Sequence, residues 1–191
     1  MQNDRLNAFS DGVIAIIITI MVLELKVPHG DDLNAIAPLA PVFLSYVLSF
    51  IYIAIYWNNH HHLMHTSESV DGGILWANMN LLFWLSLIPF ATGWLGENHF
   101  AALPSAVYGC ALLMPAIAYY ILQKAIMRRH GQEGALAKAI GKDYKSKLSL
   151  TLYAASIGLA FVHPRISQAI WIGVALIWLV PDKRIVKALE S

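Results

Sequence analysis

The stretch RLNAFSDGVIAIIITIMVLEL, residues 5–25, sets Arg5, Ser10 and Asp11 directly before eleven uninterrupted apolar or hydroxyl-bearing residues, Val13 to Leu23. Such a run predicts a bilayer-spanning helix that carries ionisable groups at its start. A carboxylate inside a spanning helix costs roughly 2.5–3.5 kcal/mol on the lenient insertion scale, so Asp11 is expected to face protein or water and to have a partner. Arg5 is the nearest candidate. At 3.6 residues per turn, Phe9, Gly12, Val13, Ile16, Thr19, Ile20 and Leu23 share one stripe, and Ser10 and Asp11 point to other sides. That stripe admits two readings: ordinary packing between helices, or the wall of a pore narrowed by apolar side chains.

Composition decides the class. Of 191 residues, 58% are apolar and 13% charged, with a mean hydropathy of +0.56. That balance excludes an ordinary soluble domain and predicts an all-α integral membrane protein. No cleavable signal peptide is expected, because the first apolar run follows Asp11 without a small-residue cleavage site, so the first helix should stay in the mature chain. A lone cysteine, Cys110, excludes an intrachain disulfide and is expected to pack as a small hydrophobe. The net charge of +1 gives no reason to expect a nucleic-acid partner.

A core of about 30 Å needs roughly 20 helical residues, and six segments can cross it, the last two being short but sufficient if locally adapted. They are 4–26, 37–59, 73–95, 103–127 and 147–162, followed by a sixth that runs from the turn at His163, Pro164 and Arg165 to Val180 and is stopped by Pro181. Asn3 or Asp4 can cap the first, and Pro28 and Gly30 close it. Pro38 and Pro41 suit the opening turns of the second, while Tyr52, Tyr56 and Trp57 suit a membrane interface at its far end. Pro89 is expected to kink the third, and Pro115 lies inside the fourth. With no low-complexity tract and no internal repeat, residues 1–191 read as a single six-helix domain.

Lysine and arginine placement predicts orientation. With the N-terminus inside, Arg5, Lys124, Arg128, Arg129, Lys138, Lys142, Lys145, Lys147, Lys183, Arg184 and Lys187 are all inner, leaving only Lys26 and Arg165 outside. Both termini are therefore expected in the cytoplasm of a multi-pass cell-membrane protein. The basic stretch between the fourth and fifth segments reads as a topology determinant beside anionic lipid rather than as a site for an acidic partner. Glu24 then lies near the outer mouth.

The second segment ends WNNHHHLMH, which brings Trp57, His60, His61, His62 and His65 to the same depth as Arg5, Ser10 and Asp11. Asn80, about two turns into the third, falls at a similar level. A network of Asp11 with Arg5, Ser10, a histidine and Asn80 would give each buried polar group a partner. His61 and His65 have the i, i+4 spacing that can share a metal ion, yet several histidine boxes on different segments, as a membrane di-iron enzyme needs, are missing. A hydrogen-bonding or interfacial role is the simpler expectation, and no metal or cofactor is expected. No nucleophile motif or phosphate-binding glycine loop is visible, and Glu68 with Asp71 reads as a solvated loop rather than an acid/base pair. The residues leave open a second class of function, a proton-coupled transporter or histidine-dependent membrane enzyme using Asp11, His60 and His61 directly.

The motif R-x-x-x-F-S-D at Arg5, Phe9, Ser10 and Asp11, W-x-x-H-H at Trp57, His60 and His61, and NLLFWLSLIPF from Asn80 through Pro89 and Phe90 resemble the transmembrane protein 175 family. That family comprises endolysosomal potassium channels of animals and their bacterial relatives, and one six-helix unit looks like the bacterial form. The resemblance implies a homotetramer around a pore lined by the first helix, with no re-entrant filter loop, and no T-V-G-Y-G sequence occurs here. It implies that Ile16, Thr19 and Leu23 face a path for potassium and other monovalent cations, with Gly12, Val13, Ile20 and Glu24 as secondary pore-facing positions. Arg5, Ser10, Asp11, Trp57, His60, His61 and Asn80 would brace the helix rather than touch the ion. A non-enzymatic, potassium-permeable channel in membrane lipid, gated by apolar constrictions, is the function so implied.

Overall fold

The computed structural model describes residues 3–67, 69–130 and 144–179, and every regular element among them is helical. The elements are α1 (Asn3–Leu23), a short α2 (Leu33–Ile36) leading through a 3-10 turn (Ala37–Leu39) into α3 (Ala40–His65), α4 (Gly72–Ser86), α5 (Ile88–Glu97) and α6 (Ala102–His130). Two further helices follow, α7 (Tyr144–Leu159) and α8 (Pro164–Leu179). Glu68, Lys138, Lys142, Val180, Pro181, Lys183, Arg184 and Lys187, which entered the expectations above, lie outside the described residues.

Among the described residues four stretches are long and apolar enough to cross a membrane: 4–23, 33–65, 72–97 and 102–129. The described residues of α7 and α8 number 16 each, about 24 Å at 1.5 Å per residue, against a core of about 30 Å. Pro89 does more than kink the third segment, because α4 ends at Ser86 and α5 begins at Ile88 with Leu87 between them. Proline lacks the N–H that would continue the ladder, and its ring crowds the carbonyl four residues back. Asp71, expected in a solvated loop, caps α4 by accepting from the Ile74 backbone N–H at 2.9 Å.

α1 packs against α3, α4 and α5. Its buried stripe is Leu6, Ser10, Ile14, Ile17 and Met21, spaced by four, four, three and four residues as one helical face requires. Its apolar members join Ile53, Leu63, Ile74, Leu81, Leu85 and Leu122 in one apolar cluster. A second cluster, around Tyr52, Leu95, Tyr108, Tyr153 and Trp171, ties α3, α5 and α6 to α7 and α8.

Most buried side-chain polar groups among the described residues are paired, as a medium without water demands, the exceptions being Asn7 Oδ1 and Gln123 Oε1. The Tyr52 hydroxyl donates to the Trp171 carbonyl at 2.6 Å, and the Trp171 indole donates to Ser156 Oγ at 3.0 Å. Thr92, Ser49 and Tyr108 form a hydroxyl chain with links of 2.7 and 2.8 Å. Tyr52 and Tyr56 are buried in the bundle, and α3 runs six residues past its expected end at Asn59.

Cys110 is exposed rather than packed in the core. The inward stripe of α6 is set by Ser105, Tyr108 and Leu112, and Cys110 stands about 200° round the helix from Tyr108. Several of the described basic residues gather at one end, whereas Lys26 lies past the far end of α1, paired with Glu97. Tyr119 near the end of α6 bonds the Asn59 carbonyl, which puts the following Lys124, Arg128 and Arg129 at the same end of the bundle as Arg5.

Candidate functional site

The two sides of α1 differ sharply. Opposite the buried stripe stand Gly12, Ile16, Thr19 and Leu23, with Ile16 58% and Leu23 81% exposed within the single chain. A Cβ added at Gly12 would meet nothing within 4 Å. The Thr19 hydroxyl donates to the Ile16 carbonyl at 2.8 Å, so its proton is committed to the helix and its oxygen lone pairs are left facing outward. Phe9 and Ile20 are also exposed, whereas Val13 is half-buried against the first cluster. The stripe read from the sequence is thus an open face, with Val13 at its inner edge.

Past the C-terminal end of α1, Glu24 lines an open groove with Ile20, Ser86, Phe90, Trp94 and Glu97. Lys26 forms an ion pair with Glu97, and that carboxylate holds the lysine above its usual pKa range. Both partners are well exposed, so water and salt screen the pair. Glu24, which also attracts Lys26 electrostatically, is the second carboxylate of the groove.

At the other end of α1, a buried relay fixes the helix. Ser10 Oγ donates to the Leu6 carbonyl at 2.9 Å and accepts from Asn78 Nδ2 at 2.9 Å. Asn78 Oδ1 lies 2.7 Å from His60 Nε2. An amide oxygen only accepts, so this network assigns the His60 proton to Nε2. On the exposed side, Trp57 Nε1 donates to Asp11 Oδ1 at 2.9 Å. Two independent struts, one from α3 alone and one from α3 and α4 together, hold the same turn of α1.

Ser10, Asp11, Trp57 and His60 are thus brought to one place, as expected, but three details differ. Arg5 is exposed and makes no ion pair with Asp11 among the described residues; the carboxylate takes the indole N–H instead. Asn80 is not in the relay, since its side chain accepts from Trp84 Nε1 at 3.2 Å on the same helix. Asn78 takes the place expected of it. Depth could not separate the two asparagines, which stand about 3 Å apart along the axis, but rotation could: Asn78 shares a stripe with Ile74, Leu81 and Leu85. His61 is exposed and lies against Trp57, ring centres 6.1 Å apart, outside the relay. Among the described residues no group of three or more His, Cys, Asp or Glu side chains is arranged to hold a metal ion.

Comparison with known proteins bears on this arrangement. The family model described as endosomal/lysosomal potassium channel TMEM175 matches residues 5–89, the part of the chain that carries α1, the two struts and the α4–α5 break. The chain is 54% identical to a potassium channel of a Chryseobacterium species over the full length of both. It is 29% identical to a potassium channel of Streptomyces collinus, over 88% of this chain and 87% of that one. Its fold is similar to the crystal structure of a lysosomal potassium-selective channel TMEM175 homologue from Chamaesiphon minutus, with a TM-score of 0.82, 29% identity, and coverage of 94% of this chain and 97% of that one.

Proposed function

The chain belongs to the TMEM175 family, and from that premise we propose that it is a potassium-permeable channel whose pore is lined by α1 in a homotetramer. The relatives are channels, not enzymes, so the histidine-dependent enzyme reading is set aside. The observation that carries the proposal is the open face of α1, where Ile16 and Leu23 are exposed beside Thr19 while the opposite face is locked into the bundle. One such face encloses nothing. Four copies about an axis make a closed path in which each chain presents the same residues.

In that assembly Ile16 and Leu23 form two apolar rings about 10.5 Å apart along the axis, with a ring of Thr19 oxygens between them. Apolar rings cannot replace the water an ion sheds, so they gate by narrowing and dewetting, while the Thr19 lone pairs offer the nearest oxygen contacts. Gly12, Val13 and Ile20 flank the path, and Glu24 raises the local concentration of monovalent cations at its mouth. Arg5, Ser10, Asp11, Trp57, His60 and His61 stay clear of the ion, with Asn78 in the bracing role first expected of Asn80. The chain works as one domain of six crossings, α7 and α8 spanning a locally thinned bilayer, in the cell membrane with both termini cytoplasmic. Conduction of this kind needs no cofactor besides the permeant ion.

The test is single-channel recording of the purified protein in a planar bilayer under potassium and then sodium gradients, with the mass of the assembly measured in nanodiscs. The expected result is a potassium-carried current from a tetramer. A clean monomer that conducts, or a tetramer with no cation current, would overturn the proposal.

A further inference from the structure

The last turns of α3 carry a feature that neither the buried relay nor the pore face uses. His61 and His65 are both exposed, and their ring centres lie 4.4 Å apart with the ring planes at 71°. They project from successive turns of one helix, the spacing at which two imidazoles can reach a common ion. Two imidazoles sharing a tetrahedral ion at roughly 2.1 Å per bond have ring centres about 5 Å apart, close to the observed separation, and the edge-to-face rings must turn to aim one nitrogen each at the ion. Exposed side chains supply that by small rotations. His60 is unsuited to the task, because it is buried and bonded to Asn78. His62 lies beside His61, ring centres 5.8 Å apart, but occupies an adjacent face about 100° round the helix.

We propose that His61 and His65 form a two-imidazole binding site for a late first-row divalent metal ion, such as Ni2+, Cu2+ or Zn2+, at the end of α3. Water completes the coordination, because no third His, Cys, Asp or Glu side chain joins the pair among the described residues. Two ligands and an open sphere make a reversible, regulatory site rather than a structural one, which takes four protein ligands. Imidazole nitrogen favours these ions over Mg2+ and Ca2+, which require oxygen. Its position gives the ion something to act on. The His61 ring lies against Trp57, and Trp57 holds Asp11 of α1, so an ion that fixes His61 also restrains the strut bracing α1.

The experiment is titration calorimetry of tag-free full-length protein in detergent with NiCl2 and with ZnCl2, alongside the Cu2+ electron paramagnetic resonance spectrum. The expected result is about one metal ion per protomer, no heat with MgCl2, and a nitrogen superhyperfine pattern from two imidazoles. His61→Gln and His65→Gln should each weaken binding by about tenfold or more, since either leaves a lone imidazole without its chelate partner, whereas His62→Gln should leave it unchanged. Both positions are exposed, so folding is not at stake, and a retained thermal midpoint checks it. Absence of binding at millimolar metal, or binding that survives both substitutions, overturns the site. Because the readout is binding rather than current, the result stands apart from whether the chain conducts potassium.

Discussion

At Asn78 a single amide completes two bonds at once, giving its N–H to Ser10 and its carbonyl oxygen to His60. All three residues are almost fully buried, so removing the amide strands an imidazole N–H and a hydroxyl lone pair where water cannot replace it. Each unsatisfied buried group costs about 1–3 kcal/mol. Asn78→Leu is therefore expected to lower the thermal midpoint of the purified protein markedly. Asn80→Ala should change it little, because the Trp84 bond it removes is longer and only partly buried. Equal losses in the two variants, measured by the same melt, would mean that the relay does not brace α1. The partners of this relay were half legible in the sequence. The cost of a carboxylate and a hydroxyl at the head of α1 announces that partners exist, and a shared depth points to the end of α3. Choosing Asn78 over Asn80, or the Trp57 indole over Arg5 for Asp11, needs the rotation of α4 and the reach of an aromatic side chain, which depth alone does not supply.

On the scale of helices, long apolar runs and proline positions carry most of the information. The break at Leu87 follows from Pro89, and the turns before α3 follow from Pro38 and Pro41. The far end of α3 was less legible, because its polar WNNHHHLMH sequence looks like a departure from the membrane, yet a helix does not have to stop where the bilayer does. It ends only at His65. The close approach of α5 to α3 depends on Gly96, where an added Cβ would lie 2.6 Å from both Val42 Cα and Ser45 Oγ. Backbone cannot swing aside as a flexible side chain does, so the helices themselves would have to separate. Gly96→Ala is expected to cost about 1–3 kcal/mol by overpacking and Gly96→Val more. Gly158→Ala, where a Cβ would meet nothing within 4 Å, should be neutral or slightly stabilising through its better helix propensity. Thermal melts of the three variants in one detergent check this, and a Gly96→Val protein as stable as wild type would contradict the packing argument.

For the molecule as a whole, the central question is what covers the open face of α1. Lipid and a symmetric pore both accept exposed isoleucine and leucine, so the apolar character of the face does not choose between them. Thr19 does not decide it either, because its hydroxyl donates to the Ile16 carbonyl, a bond that satisfies a threonine facing lipid as well as one lining a pore. The proposed tetrameric pore predicts different outcomes for its different rings. Ile16→Asn and Leu23→Asn each replace four apolar side chains with four hydrated ones, which removes the dewetting barrier, and should raise unitary conductance while weakening discrimination among cations. Thr19→Val keeps shape and volume but deletes the oxygens, so it should alter the potassium-to-sodium preference with less change in conductance. Recording the three variants in planar bilayers, after native mass has established that each remains tetrameric, separates these outcomes. If Ile16→Asn and Leu23→Asn gave folded tetramers with wild-type current and wild-type ion preference, α1 would not line the ion path. The open face would then belong to lipid, and the conducting route would have to be sought between other helices of the bundle.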